Sequence, residues 1–275
     1  MVKVQLLILL LSVLFISCNQ PRFIYNQNSR NVHFFNEKGQ SRIAAAVTTG
    51  PTRGGLDSMS NYNTGYDFQG AYAVTRNFAI QGGYYSRRER DLISWDNNTF
   101  VWSDVRYRRS GWELGGSYFV PMDNGAFTFF HIDAGVGLTK NSFTDNGGLL
   151  DTSNAVIDYS KSYKDRQLRI FAQPGLYTGK GGVQFGTGFR VQWSKYSDVI
   201  TDYSQVEKAT LRLSGLNELF SVEPYMIFRF GPSSIPGLRL ELQSSFNLAS
   251  ADRWVRGWYI GMGLVVDPLR FRLKH

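Results

Sequence analysis

A chain of 275 residues with 43% hydrophobic and 19% charged positions is too polar overall for a bundle of membrane helices. Its formal charge of +8 comes without any basic run longer than Arg87-Arg88 or Arg108-Arg109, which excludes a polybasic nucleic-acid arm. A single cysteine excludes an internal disulfide, so stability rests on burial and strand pairing.

The chain opens on Lys3 and an apolar run over residues 4–16. That run is too short for a spanning helix and has the form of a secretory signal. It ends Leu14-Phe15-Ile16-Ser17-Cys18, which is similar to a bacterial lipoprotein cleavage box. Residues 1–17 therefore read as a lipoprotein signal peptide, with lipidation at Cys18. Residues 18–41 read as a periplasmic tether, polar and with little apolar periodicity. Within it Val32-His33-Phe34-Phe35 is an apolar break that could dock on the barrel end or plug it.

From Arg42 the pattern changes to period-two alternation, the mark of strands with one apolar face. Ten strands are expected, near residues 42–49, 64–74, 78–88, 106–120, 126–143, 162–177, 183–197, 217–231, 237–249 and 254–267. The connections alternate in length. Short ones, such as Thr75-Arg76-Asn77 and Gly179-Lys180-Gly181-Gly182, carry turn residues. Long ones are expected at 50–63, 89–105, 144–161 and 198–216, with a shorter one at 250–253. Such alternation describes an all-β, up-and-down antiparallel transmembrane β-barrel over residues 42–267, with short periplasmic turns and longer extracellular loops. Ten strands fit best, with eight as the smaller alternative. A basic periplasmic tail, 268–275, follows. Both termini then lie in the periplasm.

The clearest alternation runs through residues 168–193. Val183, Phe185, Phe189, Val191 and Trp193 share one parity; Gln184, Gly186, Gly188, Arg190 and Gln192 share the other. A soluble sandwich or lipocalin-like barrel would bury the first set. The loop asymmetry and the strand lengths of about 9–11 apolar-alternating residues favour lipid on that side instead. Tyr66, Tyr84, Trp112, Tyr163, Trp193 and Trp254 fall near the long-loop ends, as an interfacial girdle would. By parity Arg42, Asp67, Arg87, Glu113, His131, Asp133, Arg169, Arg190, Glu223, Arg229, Arg239 and Glu241 form a lumenal polar network. Each charge facing lipid would cost about 2–4 kcal/mol near the midplane.

Ser117, His131 and Asp133 are the one weak candidate for catalysis: a hydroxyl, an imidazole and a carboxylate on lumenal positions of one hairpin. Pairing Val120 with Ala126 puts Ser117 one diagonal step from His131 and sets Glu113 opposite Asp133. No nucleophile elbow accompanies them, and a hydrogen-bond network is the plainer reading. Gly179-Lys180-Gly181-Gly182 lacks Walker spacing and is a turn. Pairing Tyr177 with Gln184 sets Arg169 against Gln192. Neither cofactor nor metal is expected, because no cysteine, histidine or carboxylate set has ligand spacing.

Ser17-Cys18, the element Asn31-Val-His-Phe-Phe-Asn-Glu-Lys-Gly39 and the strand pair beginning Gly65-Tyr-Asp-Phe-Gln-Gly resemble the lipid-anchored outer-membrane β-barrel proteins common in Bacteroidota. The resemblance implies the bacterial outer membrane, with lipid as partner and no settled activity. The favoured function is a non-enzymatic structural or accessory subunit of an outer-membrane complex, with protein partners there and no nucleic acid. Two alternatives stay open: a small-ligand or narrow-pore barrel, and a lipid-modifying hydrolase.

Overall fold

The computed structural model describes residues 22–268, except 36, 53–60, 95–99, 123–127, 151–154, 181, 212, 214–216, 233, 236 and 249–254. Ten strands follow one another around a closed antiparallel barrel: β1 Ser41–Thr49, β2 Tyr62–Ala73, β3 Phe78–Ser94, β4 Phe100–Pro121, β5 Thr128–Leu150, β6 Val156–Lys180, β7 Val183–Thr201, β8 Glu218–Phe230, β9 Leu238–Phe246 and β10 Trp258–Val266. β1 pairs with β10 from Ile43↔Val266 to Thr49↔Ile260, so the sheet has no open edge. One short helix, α1 Gln205–Thr210, lies between β7 and β8. Ser204 and Glu207 cap it reciprocally. A hydrogen bond from Lys161 holds the Glu207 carboxyl below its ordinary range.

The short turns after β2, β4, β6 and β8 define one end of the barrel, the turn end; the other is the loop end. Four strands run further toward the loop end than alternation alone indicates. β3 continues to Ser94, β4 starts at Phe100, β5 continues to Leu150 and β6 starts at Val156. The loops expected at 89–105 and 144–161 are therefore largely strand. On β3 above the apolar band both faces are polar, as in Arg87-Arg88-Glu89-Arg90-Asp91. The alternation fades there while the backbone ladder persists, with Arg90↔Arg106 and Asp145↔Lys161 still in register. Two registers also differ from expectation. Val120 pairs with Phe130, and Tyr177 with Gly186. Arg169 then faces Ser194, and Glu113 faces Gly137 rather than Asp133.

The outward face is apolar and bare. Ile43, Phe68, Ile80, Leu114, Tyr118, Ile132, Val136, Ile170, Phe220, Phe228, Ile260, Met262 and Leu264 are all exposed. A continuous apolar girdle of this extent on a closed barrel is a lipid-facing surface. Tyr66, Tyr84 and Trp112 stand exposed on it. Tyr163 departs from the expected girdle: it is buried in the lumen, stacked on Phe143 with centroids 4.9 Å apart. Trp254 and residues 269–275 of the basic tail lie outside the described residues.

The inward face is polar, and what fills it is the chain itself. Residues 22–35 are buried throughout, apart from half-buried Phe23 and Phe34. The expected periplasmic tether over 18–41 is, across these residues, an extended segment inside the barrel. Arg22 meets Asp145 and Ser103 near the loop end. Phe35 packs with Ala73, Ala79, Phe119 and Phe129 at the turn end. At about 3.3 Å per residue an extended segment of this length crosses a membrane-sized barrel once. It then turns through Gly39, whose φ of +86° suits glycine, and enters β1. A barrel of about eight strands is filled by its own side chains. Two further strands leave the width that one extended chain occupies.

Candidate functional site: the plugged lumen

The inner plug is read by the wall along its whole length. Near the loop end, Arg22 Nε donates to Asp145 Oδ2 at 2.9 Å, and Arg109 donates to the carbonyls of Phe23 and Ile24. Tyr25 bridges Val255 in parallel, and Arg256 N donates to Tyr25 O at 3.0 Å. The Arg256 guanidinium lies 3.8 Å from the Phe23 ring centroid and reaches Glu89 and Asp91 at 2.8 Å. Asn26 donates to Glu89 at 3.0 Å and to Asn63 at 3.1 Å.

Midway, Asn28 accepts from Arg169 at 3.1 Å. Ser29 binds Asp67 and Tyr259. Arg30 pairs with Glu223, while its backbone N–H and carbonyl both engage Gln243. Asn31 donates to the carbonyls of Gly70 and Gly82 and accepts from Arg42 at 2.6 Å. Towards the turn end, the Val32 carbonyl accepts from Arg229. An extended chain leaves its backbone groups unpaired unless neighbours satisfy them, and here arginine, glutamine, aspartate and tyrosine side chains of the wall do so.

The wall also balances its own charges. Glu113 pairs with Arg169 at 3.2 Å and Arg190 at 3.0 Å. Glu241 pairs with Arg42 at 3.0 Å and with Arg229. Asp67 pairs with Arg87 at 2.8 Å, and Glu89 with Arg109 and Arg256. Each group is nearly water-free, so pairing is what makes its burial tolerable. Wall glycines supply the room. A Cβ on Gly135 would meet the Phe171 ring at 2.7 Å, and one on Gly137 would stand 3.0 Å from the Glu113 side chain. A cavity of about 20 Å³ beside Asn28, Asp67, Gln81 and Glu113 remains, room for about one water.

All twelve positions of the expected lumenal network, from Arg42 to Glu241, lie buried on the inner face. Ser117, His131 and Asp133 come together near the turn end. Ser117 Oγ lies 3.0 Å from His131 Nε2 and 3.2 Å from Nδ1; Asp133 Oδ1 lies 3.0 Å from Nδ1. The plug adds His33, whose Nε2 is 3.1 Å from His131 Nε2. The hydroxyl therefore straddles both ring nitrogens, and the nitrogen a nucleophile would need is shared with a second imidazole. Phe35, Phe119 and Tyr177 pack around the pair. One ligand atom from each of His33, His131 and Asp133 falls within 4.8 Å of the others, a grouping the sequence hides because His33 arrives from 98 positions away.

Several partners escape sequence reasoning. Arg22 and Arg30 belong to a stretch that reads as tether, and His33 to the apolar break expected to dock on the barrel end or plug it. Glu89, Asp91 and Asp145 share the lumenal parity of their strands but lie on extensions that read as loop, whereas Arg109 has that parity within the strand expected at 106–120. Arg256 precedes β10 and is wholly buried. Parity carried past the apolar band would have found the strand residues.

No protein-family model matches the chain, and no curated protein matches it by sequence. Solved structures of similar shape exist. The outer-membrane protease OmpT from Escherichia coli aligns at TM-score 0.45 and 9% identity, over 83% of this chain and 94% of that one. The translocator domain of the autotransporter NalP from Neisseria meningitidis aligns at TM-score 0.45 and 12% identity, over 84% and 89%. An outer-membrane channel from Pseudomonas putida F1 aligns at TM-score 0.41 and 10% identity, over 87% and 99%. These are loose likenesses of barrel architecture.

Proposed function

We propose that the chain is a non-enzymatic outer-membrane β-barrel lipoprotein, a structural or accessory subunit of an outer-membrane complex. The observation that carries this reading is the lumen occupied by the protein's own residues 22–35. A pore needs a continuous aqueous path, and a lumenal enzyme needs a route for substrate. The plug and its ion pairs stand across both. The Ser117–His131–Asp133 group lies beneath His33 and Phe35, and its surroundings favour a packing and hydrogen-bonding role.

The path of the plug bears on the position of a lipid anchor. Cys18 precedes Arg22 by four positions, a reach of roughly 13 Å in extended chain. Arg22 sits at the loop end, which supports a lipid anchor at Cys18 on the side of the long loops rather than the periplasmic one. The amino-terminal lipid and the barrel then hold the plug from both ends, and the loop-end strand extensions of β3–β6 stand clear of the membrane for partner contact.

One experiment addresses both parts. An epitope inserted between Asn19 and Gln20 is expected to bind antibody on intact cells. After in-cell crosslinking, pull-down through it should bring a membrane protein in fixed ratio. An epitope reached only after permeabilisation contradicts the anchor position; recovery of the uncrosslinked monomer alone contradicts the accessory role.

A further inference from the structure

On the outer face, β3–β6 carry a group of cations that neither the lumen nor the lipid band uses. Tyr84, Trp112, Leu138 and Leu168 pair across the four strands in a single row. All four are exposed and form the last apolar row before the loop end. The next outward row is Ser86, Ser110, Lys140 and Arg166; the one beyond it is Arg88, Arg108, Ser142 and Lys164. Five exposed cations thus occupy two adjacent rows.

Their arrangement is unfavourable by itself. Arg88 stands directly opposite Arg108, and Lys140 directly opposite Arg166. Like charges in such cross-strand pairs repel. Among the described residues Arg88, Arg108 and Lys140 have no carboxylate at ion-pair distance. Arg166 has Asp198 at 3.2 Å, an exposed pair worth little. Asp104, also on this side, is engaged by Arg90 and Arg106, and Asp202 accepts from the Ser162 backbone and hydroxyl. Multivalent anions would relieve the repulsion through charge-assisted hydrogen bonds.

The position selects the anion. Tyr84 and Trp112 mark the level where hydrocarbon gives way to headgroups, and the cations stand one and two rows above it. A surface groove of about 470 Å³ joins the levels, lined by Tyr84, Ser110, Trp112, Leu138, Lys140 and Arg166. A second, of about 800 Å³, continues from Lys140 and Arg166 to Lys164.

We propose that this face of β3–β6 binds a phosphorylated lipid of the loop-end leaflet, with phosphate on Arg108, Lys140 and Arg166 and acyl chain against Tyr84, Trp112 and Leu138. The proposal rests on the transmembrane-barrel reading.

The test is native mass spectrometry of the full-length protein in non-ionic detergent, titrated with diphosphoryl lipid A. The Lys140→Gln/Arg166→Gln variant is expected to bind at least about tenfold more weakly, as is dephosphorylated lipid A to the wild type. The Lys38→Gln/Arg76→Gln variant, altered at the turn end, should bind as the wild type does. Should the first variant fail to fold, Arg108→Gln/Lys164→Gln carries the same expectation. Equal affinity in wild type and site variant overturns the proposal, and so does equal loss in the turn-end control. Displacement by millimolar inorganic phosphate replaces the lipid site with a simple anion site. Heat-modifiable migration tests the barrel separately: a wild type that lacks it and stays soluble without detergent defeats the membrane reading, whatever lipid A does.

Discussion

Glu241→Ala is expected to destabilise the barrel by about 3–5 kcal/mol, because it strands buried charge. Glu241 accepts two hydrogen bonds from Arg42, at 3.0 and 3.1 Å, and one from Arg229, and all three side chains are nearly inaccessible to water. Truncating the acid leaves two guanidinium groups facing each other across a dry lumen. The measurement is the urea midpoint of heat-modifiable migration in detergent micelles, with the slope checked for constancy. Removing all three charges together, as Arg42→Met/Arg229→Met/Glu241→Leu, should return part of the loss, since no charge then stays unpaired. A single variant as stable as the wild type would mean that water reaches this part of the lumen.

Deleting residues 22–35 is expected to turn a non-conducting barrel into a conducting one in planar bilayers. The wall can survive the deletion because most of its charges pair within it: Glu113 with Arg169 and Arg190, Glu241 with Arg42 and Arg229, Asp67 with Arg87. Glu223 and Asp145 lose the arginines that the plug supplies, so the shortened barrel should also unfold at lower urea. Both changes come from one cause. A shortened barrel that stays electrically silent would show that the wall closes on itself and that the plug fills no channel.

Much of the barrel is legible in the sequence because period-two alternation survives wherever one face meets lipid and the other does not. The run from Val183 to Trp193 shows it, and so do Leu114, Tyr118, Ile132 and Val136, which all stand exposed outside. The signal ends where lipid ends. Arg88 and Arg90 are as polar as Arg87 and Glu89, so no contrast distinguishes the two faces of β3 beyond the membrane, although Arg87 and Glu89 are buried and Arg88 is exposed. Register is less legible for a different reason. Turn composition locates the hairpins around residues 122–127 and 179–182 without fixing which residues face each other, and the observed pairs are Val120↔Phe130 and Tyr177↔Gly186.

The plug leaves the faintest trace in the sequence. Asn26, Gln27, Asn28, Ser29 and Asn31 have the composition of a solvated tether. Their partners, Glu89, Ser245, Arg169, Asp67 and Arg42, lie on five different strands. A polar segment of this kind shows no periodicity of its own, because a charged lumen replaces the water it would otherwise bind. The hint lay in volume: ten strands whose inner face includes Gly115, Gly135, Gly137 and Gly186 enclose more space than their side chains fill.

The most direct test of the inner plug is the chemical protection of Ser29. In a Cys18→Ala background, Ser29→Cys places a small thiol between Asp67 and Tyr259, at a site 3% exposed. With a membrane-impermeant methanethiosulfonate reagent, the folded protein in detergent should react at least about a hundredfold more slowly than the same protein in urea, since reaction must wait for the segment to leave the lumen. Lys38→Cys, on the exposed stretch beyond the plug, should react at the same rate in both. If Ser29→Cys reacts in the folded state as fast as Lys38→Cys, residues 22–35 do not occupy the lumen, and the account of a self-plugged barrel fails.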